Sequence, residues 1–366
     1  MKLSHSKLST ILSCPMTYYL SYIEGIQPIE EKAALAIGSA VHWGIEHNTE
    51  DLTEYYHSEE SQYTREQLLS EAMVHGYFKH KDEIFNQILT CEDGSKMNLI
   101  EESHEVFINA KLKSNKNADF NHEFVGIIDL LLLTDKGFII IDYKTSTYEP
   151  DWTNYLDQIY RYIFLLQSEF PDIPIVKIGI INIKKTGIRQ KKTENYIEFL
   201  NRMKLEYDIN DENYVAYHEY RPEALDKKLI DSYLNNLSSM CDAAKMIDDN
   251  HLWYINYSAA NGVYGKSPYW NIFYKIPDSY LLYKIKDRIY DEETNEWKEE
   301  RPCVAIDMLV TEHQNVMNHY DKYINIFNNS NYKDLTEYNR FLREHYLCDV
   351  GLLDIYTKNF LKENEK

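Results

Sequence analysis

The chain has little of what a stapled, fibrous or membrane-embedded protein needs. Its 366 residues include five cysteines (Cys14, Cys91, Cys241, Cys303 and Cys348), odd in number, far apart and without a CxxC pair. A disulfide framework is therefore not expected, and a reducing cytoplasm is the compartment that suits these thiols. Twelve Gly and nine Pro exclude a collagen-like or linker-rich architecture. The most apolar stretch, GIIDLLLLTDKGFIII, is broken by Asp129 and by a turn, so it falls short of the roughly 18 uninterrupted apolar residues of a membrane span. The opening MKLSHSKLSTILSCPMTYYLSY interrupts its apolar residues with Ser, His, Lys and Thr, which makes a poor signal-peptide core. No GxxxxGK[ST] run occurs, so an in-chain ATP-driven helicase is excluded. Basic residues are also short: 39 Lys+Arg stand against 59 Asp+Glu, a net charge of −20, and nothing draws the chain as a whole toward phosphate.

What is present is enough for a core. Hydrophobic residues make up 44% and aromatics 14%, which rules out wholesale disorder. The 32 tyrosines are apolar in body and polar at the tip, and no function follows from them. Residues 1–25 read as a helix, with Leu8, Leu12, Tyr19 and Tyr22 or Ile23 at three- and four-residue steps. A second helix is expected over 33–49 and a polar, helix-prone insertion over about 50–90. Four short β-branched runs then read as strands: SHEVFINAKLK, HEFVGIIDLLLLT, GFIIIDYKTS and IPIVKIGIINIKKT. An amphipathic helix over 151–169 separates the last two. A strand over 211–220, a helix over 223–247, a hairpin around 291–296 and helices within 311–328 and 332–347 complete the reading. Helices followed by strands with an intervening helix indicate an α/β fold. The chain is divided into residues 1–275 and a C-terminal α+β extension, 276–366, of unknown role.

Chemistry concentrates in FVGIIDLLLLTDKGFIIIDYKTS, residues 124–146. Two apolar strands flank the tight-turn signal Thr134-Asp135-Lys136-Gly137. With Asp135-Lys136 as a two-residue loop, Asp129 stands opposite Asp142; with Lys136-Gly137 as the loop, it faces Lys144. In both registers Asp129, Asp142 and Lys144 share one face of the ribbon. Two neighbouring carboxylates among Ile and Leu disfavour each other's ionisation. A divalent cation removes that cost, and an ammonium two residues on can orient water or neutralise charge developing on a phosphate. Such a set suits phosphodiester hydrolysis. A structural salt bridge among the same three groups is the competing reading. Glu105 opens the preceding strand and reads as a solvated strand-end residue with the capacity to supply another carboxylate.

Asp129 and Asp142-Tyr143-Lys144 resemble the PD-(D/E)XK nuclease pattern, and Gly126–Asp129 (GxxD) with Asp142–Thr145 (DYKT) resemble its RecB-like branch. Three further pieces fall in that branch's order: Ser6, Leu8, Cys14, Pro15, Tyr18, Leu20 and Tyr22 of an opening helix; Gly38 and His42 of a GxxxH helix; and Gln158 and Tyr162 of a QxxxY helix. The resemblance implies a restriction-endonuclease-like core, a central mixed sheet flanked by helices, behind an N-terminal helical region. It implies Mg²⁺ or Mn²⁺ held by Asp129 and Asp142 with His42 as an additional ligand. Lys144 would act on water or the transition state, and Gln158 and Tyr162 would contact the site or the DNA backbone. Packed as core residues, His42, Gln158 and Tyr162 would have no such roles.

Many RecB-like nucleases carry an iron–sulfur cluster on one N-terminal and three clustered C-terminal cysteines. Cys14 matches the first, but Cys241, Cys303 and Cys348 are tens of residues apart, so no cluster is expected. Tyr264–Phe273 has the look of the closing segment with aromatic residues in place of sulfur. Ile173–Thr193 holds six basic residues and no acidic one: Lys177, Lys184, Lys185, Arg189, Lys191 and Lys192. They form a candidate DNA-binding stretch, or else a solvated surface. The expectation is a cytoplasmic metal-dependent DNA nuclease, an exonuclease of replication, repair or recombination, with DNA and a helicase or recombination protein as partners and no membrane. The Tyr-, Asn- and Ile-rich composition suggests an A+T-rich prokaryotic or phage gene. The alternative is a non-catalytic nucleic-acid-binding or assembly protein that keeps the fold.

Overall fold

Thr134 pairs with Gly137 around the two-residue loop Asp135-Lys136, which selects the register that sets Asp129 toward Asp142. The computed structural model describes residues 2–23, 25–28, 33–57, 64–147, 152–209, 214–221, 225–262 and 265–274, together with strand backbone at 283–285, 288–291, 296–299 and 304–305. In chain order these form β1 (Lys2–Leu3), α1 (His5–Ser13), α2 (Pro15–Tyr18) running into a π-helical turn (Tyr19–Ile23), and β2 (Ile26–Pro28). Then come α3 (Ala33–Glu46), α4 (Thr53–Tyr56), α5 (Arg65–Ile88), β3 (Leu99–Lys113), β4 (Asn121–Thr134) and β5 (Gly137–Ser146). A 3₁₀ turn (Trp152–Tyr155) leads into α6 (Leu156–Glu169), followed by β6 (Ile175–Lys184), α7 (Tyr196–Ile209), β7 (Val215–Glu219) and α8 (Lys227–Asp249). The chain forms two compact units, one of Met1–His5 with Glu31–Asp242 and one of Ser6–Glu30 with Ala243–Lys366.

The first unit is built on a mixed six-stranded sheet in the order β1-β4-β5-β6-β7, with β3 also paired to β4. It is flanked by helices, the restriction-endonuclease-like arrangement. β3, β4 and β5 are antiparallel neighbours, whereas β5 and β6 run parallel because α6 carries the chain back across the sheet. The unbroken apolar runs of β4 and β5 fit strands covered on both faces. Leu130, Leu132, Ile139 and Ile141 are fully buried with Val41 of α3 and Met73 of α5. α6 buries Ile159, Ile163 and Leu166. It lies close to β4 because Gly126 has no side chain: a Cβ there would stand 2.6 Å from Leu165 Cδ1. Tyr143, between Asp142 and Lys144, is buried, and its hydroxyl meets that of Tyr77 on α5 at 3.0 Å.

The pairing of β4 with β5 stops at Leu130–Ile141. β5 continues beside β6 as far as Ser146, while β1 takes the vacated edge of β4 at Glu123 and Phe124. The two strands therefore part just where Asp129 and Asp142 lie.

Two local differences from the sequence reading have plain causes. The helix expected over 1–25 is interrupted, since Lys2 and Leu3 pair with β4 and Pro15, lacking an N–H, starts a new helix at its first turn. α7 had no counterpart in the sequence reading; it buries Phe199, Met203 and Tyr207, an i, i+4, i+8 stripe set among charged residues. In the second unit Trp253 stacks on Tyr18 and Tyr19 with centroids 6.1 and 5.3 Å away. There the Tyr269 hydroxyl donates to the Ile26 carbonyl at 2.6 Å, and the Asn256 N–H points to Cys14 Sγ at 3.4 Å. Strands 288–291 and 296–299 pair as the hairpin expected there; its turn and the helices expected within 311–328 and 332–347 lie outside the described residues. Among the described residues no helix is long and apolar enough to cross a membrane.

Gly137 has φ +138°, and a Cβ on it would stand 2.2 Å from the Pro174 carbonyl oxygen. Gly137→Ala is expected to lower the unfolding free energy by about 2 kcal/mol or more in urea titration. Gly187→Ala, with no atom within 4 Å of the added Cβ, should stay within about 0.5 kcal/mol of wild type.

Candidate active site

α3 brings Gly38 and His42 to one face, one turn apart. A Cβ on Gly38 would lie 3.3 Å from Thr145 Oγ1, so the missing side chain lets the helix lie against the end of β5. His42 Nδ1 then stands 3.7 Å from Asp129 Oδ2 and 3.7 Å from Glu105 Oε1. Ligand atoms of His42, Glu105 and Asp129 all fall within 4.8 Å of one another, the one such group among the described residues.

Glu105 is not the solvated strand end of the sequence reading. It sits inside β3 between the pairs His104–Leu130 and Val106–Ile128, opposite Asp129, and its φ is +48°. A bulky non-glycine residue in the left-handed region costs energy that the surroundings must offset. Here the ladder opens by one step where two carboxylates face each other. Sequence spacing could not reveal this: the 114–120 connection is no tight turn, so the β3–β4 register cannot be counted from it.

Asp129 is 8% exposed, and its Oδ2 accepts a hydrogen bond from the Tyr143 N–H at 2.8 Å. The carboxylate thus satisfies a backbone donor that the parting of β4 from β5 would leave unmatched. Burial first, and the charge of Asp142 second, push the Asp129 carboxyl up to about 7. For His42, burial opposes the imidazolium, but Asp129, Glu105 and Asp142 outweigh it and hold the ring up at about 9.

Asp142 is 1% exposed. Its Oδ2 pairs with the Lys144 ammonium, while Oδ1 meets no hydrogen-bond donor among the described residues. Burial would lower the Lys144 pKa, but the charges of Asp142 and Asp129 raise it, so the ammonium stays protonated. Lys144 Nζ donates to Gln158 Oε1 at 3.1 Å, and Gln158 Nε2 donates to the Tyr162 hydroxyl at 2.6 Å. Burial, followed by the charges of Asp142 and Asp129, lifts the Tyr162 phenol well above its ordinary value, which keeps it neutral.

The six residues singled out in the motifs therefore gather in the fork of β4 and β5 as two groups. His42 and Asp129 join Glu105; Asp142 and Lys144 join Gln158 and Tyr162. The basic stretch is placed less uniformly. Lys184 and Lys185 leave the end of β6, where the Lys185 N–H donates to the Ser146 carbonyl at 2.7 Å, and burial lowers the Lys185 amine. Arg189, Lys191 and Lys192 are exposed beyond them. Lys177 lies five residues before Asn182, the neighbour of Lys144, or roughly 16 Å along the strand. Its ammonium is committed to Glu219 and the Thr90 carbonyl, both at 2.7 Å.

Three carboxylates and one imidazole face a single lysine, one carboxylate oxygen is buried without a donor, and another carboxyl holds its proton to about 7. A divalent cation fits this donor set: oxygen ligands suit Mg²⁺ and Mn²⁺, and the imidazole favours Mn²⁺.

A family model described as the PD-(D/E)XK nuclease superfamily matches residues 2–250. Among solved structures, a candidate exonuclease from Eubacterium rectale is 9% identical, with 67% of this chain and 82% of that one covered and a TM-score of 0.42. The protein SSO0001 is 13% identical over 66% of this chain and 83% of its own, with a TM-score of 0.26. No curated protein matches the sequence.

A cation held by Asp129 and His42 would require the one ionised and the other neutral, and would therefore expel the protons that their raised pKa values retain. Mn²⁺ binding is expected to release about two protons at pH 6 and about one at pH 8, with affinity rising across that range. Calorimetric titration in two buffers of different ionisation enthalpy measures the release, and His42→Ala should remove about one proton from it.

Proposed function

The chain belongs to the PD-(D/E)XK nuclease superfamily, and from that footing we propose that it is a Mg²⁺- or Mn²⁺-dependent deoxyribonuclease acting as an exonuclease in DNA replication, repair or recombination. The family makes it a hydrolase of phosphodiester bonds with nucleic acid as substrate. The observation that carries the finer reading is the buried Asp142 carboxylate, one oxygen against the Lys144 ammonium and the other without a donor among the described residues. A structural salt bridge would have no use for that unmatched lone pair in a dry site.

Asp129, Asp142 and His42 would hold the cation, with Glu105 as a fourth donor. When bound, a divalent cation supplies Lewis-acid charge that acidifies water and draws electron density from the phosphate. The chain's own groups do the rest. Lys144, kept protonated by Asp142 and Asp129, faces the charge that builds on the phosphate oxygens or fixes the attacking water. Gln158 orients Lys144: its amide N–H₂ is engaged by Tyr162, which leaves Oε1 aimed at the ammonium. The segment carrying Lys184, Lys185, Arg189, Lys191 and Lys192 would guide the strand by phosphate contacts, and Lys177 would take no part. A helicase or recombination protein would present the ends.

Purified protein on linear and circular, single- and double-stranded DNA, with Mg²⁺, Mn²⁺ or EDTA, tests this directly. Cleavage is expected only with metal and preferentially on molecules with ends. Asp142→Asn should lower the rate at least about 10³-fold with little loss of Tm, since it removes a buried charge and the partly exposed Lys144 ammonium keeps Gln158. Lys144→Ala should also abolish cleavage but melt earlier without metal, because a buried carboxylate loses its partner. DNA retained on gels yet uncut with either metal would instead establish a binding module, and an equal loss of Tm in Asp142→Asn would establish the salt bridge.

A further inference from the structure

We propose that Tyr155 is a positioning residue for the hydrolysis, its ring holding the Lys144 ammonium toward the scissile phosphate; the inference rests on the nuclease reading above. Lys144 Nζ lies over the Tyr155 ring, 4.9 Å from its centroid, inside the range of about 6 Å over which a ring face attracts a cation. The ammonium is thus bounded by Asp142 Oδ2, Gln158 Oε1 and an aromatic face. Tyr155 ends the 3₁₀ turn Trp152–Tyr155 and is the N-cap residue of α6. Gln158 stands three residues on, so one short piece of chain delivers both the ring and the amide to the lysine.

The ring has a property the other two partners lack. When the Asp142 carboxylate turns to a cation, its hold on Lys144 weakens, and a four-carbon side chain held by one amide is free to swing into solvent. An aromatic face attracts the ammonium through its quadrupole without engaging an N–H in a conventional hydrogen bond and without competing for metal. The donors released by Asp142 therefore stay available to phosphate oxygens while the side chain keeps its direction.

The test uses the full chain with Phe, Leu and a series of progressively fluorinated phenylalanines at position 155. Tyr155→Phe should keep kcat within about twofold, whereas Tyr155→Leu should lower kcat about tenfold with KM unchanged. The fluorinated series should fall stepwise as the ring face loses negative charge. A second readout needs neither metal nor DNA: the Lys144 ε-methylene protons, identified by their loss in Lys144→Ala, should be shifted upfield by the ring in wild type and Tyr155→Phe and return to ordinary values in Tyr155→Leu. An unchanged kcat in Tyr155→Leu, a rise in KM with kcat intact, a fluorinated series that stays flat, or an absent upfield shift each overturns the proposal. Failure of wild-type protein to cut DNA with either metal overturns the nuclease reading and this inference together; a cutting wild type with an indifferent leucine variant overturns this inference alone.

Discussion

Burial of carboxylates crowded together where two strands part is the constraint to which the rest of the first unit answers. Asp129 and Asp142 sit at the end of the β4–β5 ladder, and Glu105 takes an unfavourable backbone conformation beside them. Everything nearby lowers the energy of that arrangement or exploits it. Lys144 neutralises one acid, His42 approaches the other two, and Asp129 keeps its proton to near neutral pH. Asp129 also closes the break in the ladder through the Tyr143 N–H, so one side chain serves the backbone as well as the carboxylate cluster. Buried carboxylates so arranged are costly on their own, and a bound cation would lower that cost.

Much of this was legible because the hairpin is tight. A two-residue loop fixes the pairing by arithmetic, and pairing fixes which side chains meet. Gly38 and Gly126 were legible as small residues, and the structure adds what each makes room for: Thr145 in one case, Leu165 in the other. Glu105 was visible only as a carboxylate in a strand, since its partner depends on a register set by a long connection. Lys177 looked like its basic neighbours, yet a β-strand alternates its faces, and its head turns inward to Glu219. Tyr155 falls inside the helix expected over 151–169, but it ends a 3₁₀ turn ahead of α6, and helical periodicity does not tell that its ring meets Lys144.

The charge of the whole chain, −20, is a poor guide to what a short segment can meet. Basic residues at 184–192 follow the strand that flanks Lys144, and screening at physiological salt confines their influence to about 8 Å. Within that range a phosphate would encounter a local sign opposite to the overall one. The acidic remainder keeps the protein from adhering indiscriminately to polyanions.

Tyr143 stands between Asp142 and Lys144 and points away from both, into contact with Tyr77 in the middle of α5, the longest helix among the described residues of the unit. The backbone of the reactive strand is thereby riveted to the most deeply buried part of the fold. Its amides therefore belong with the slowest in the unit to exchange with solvent.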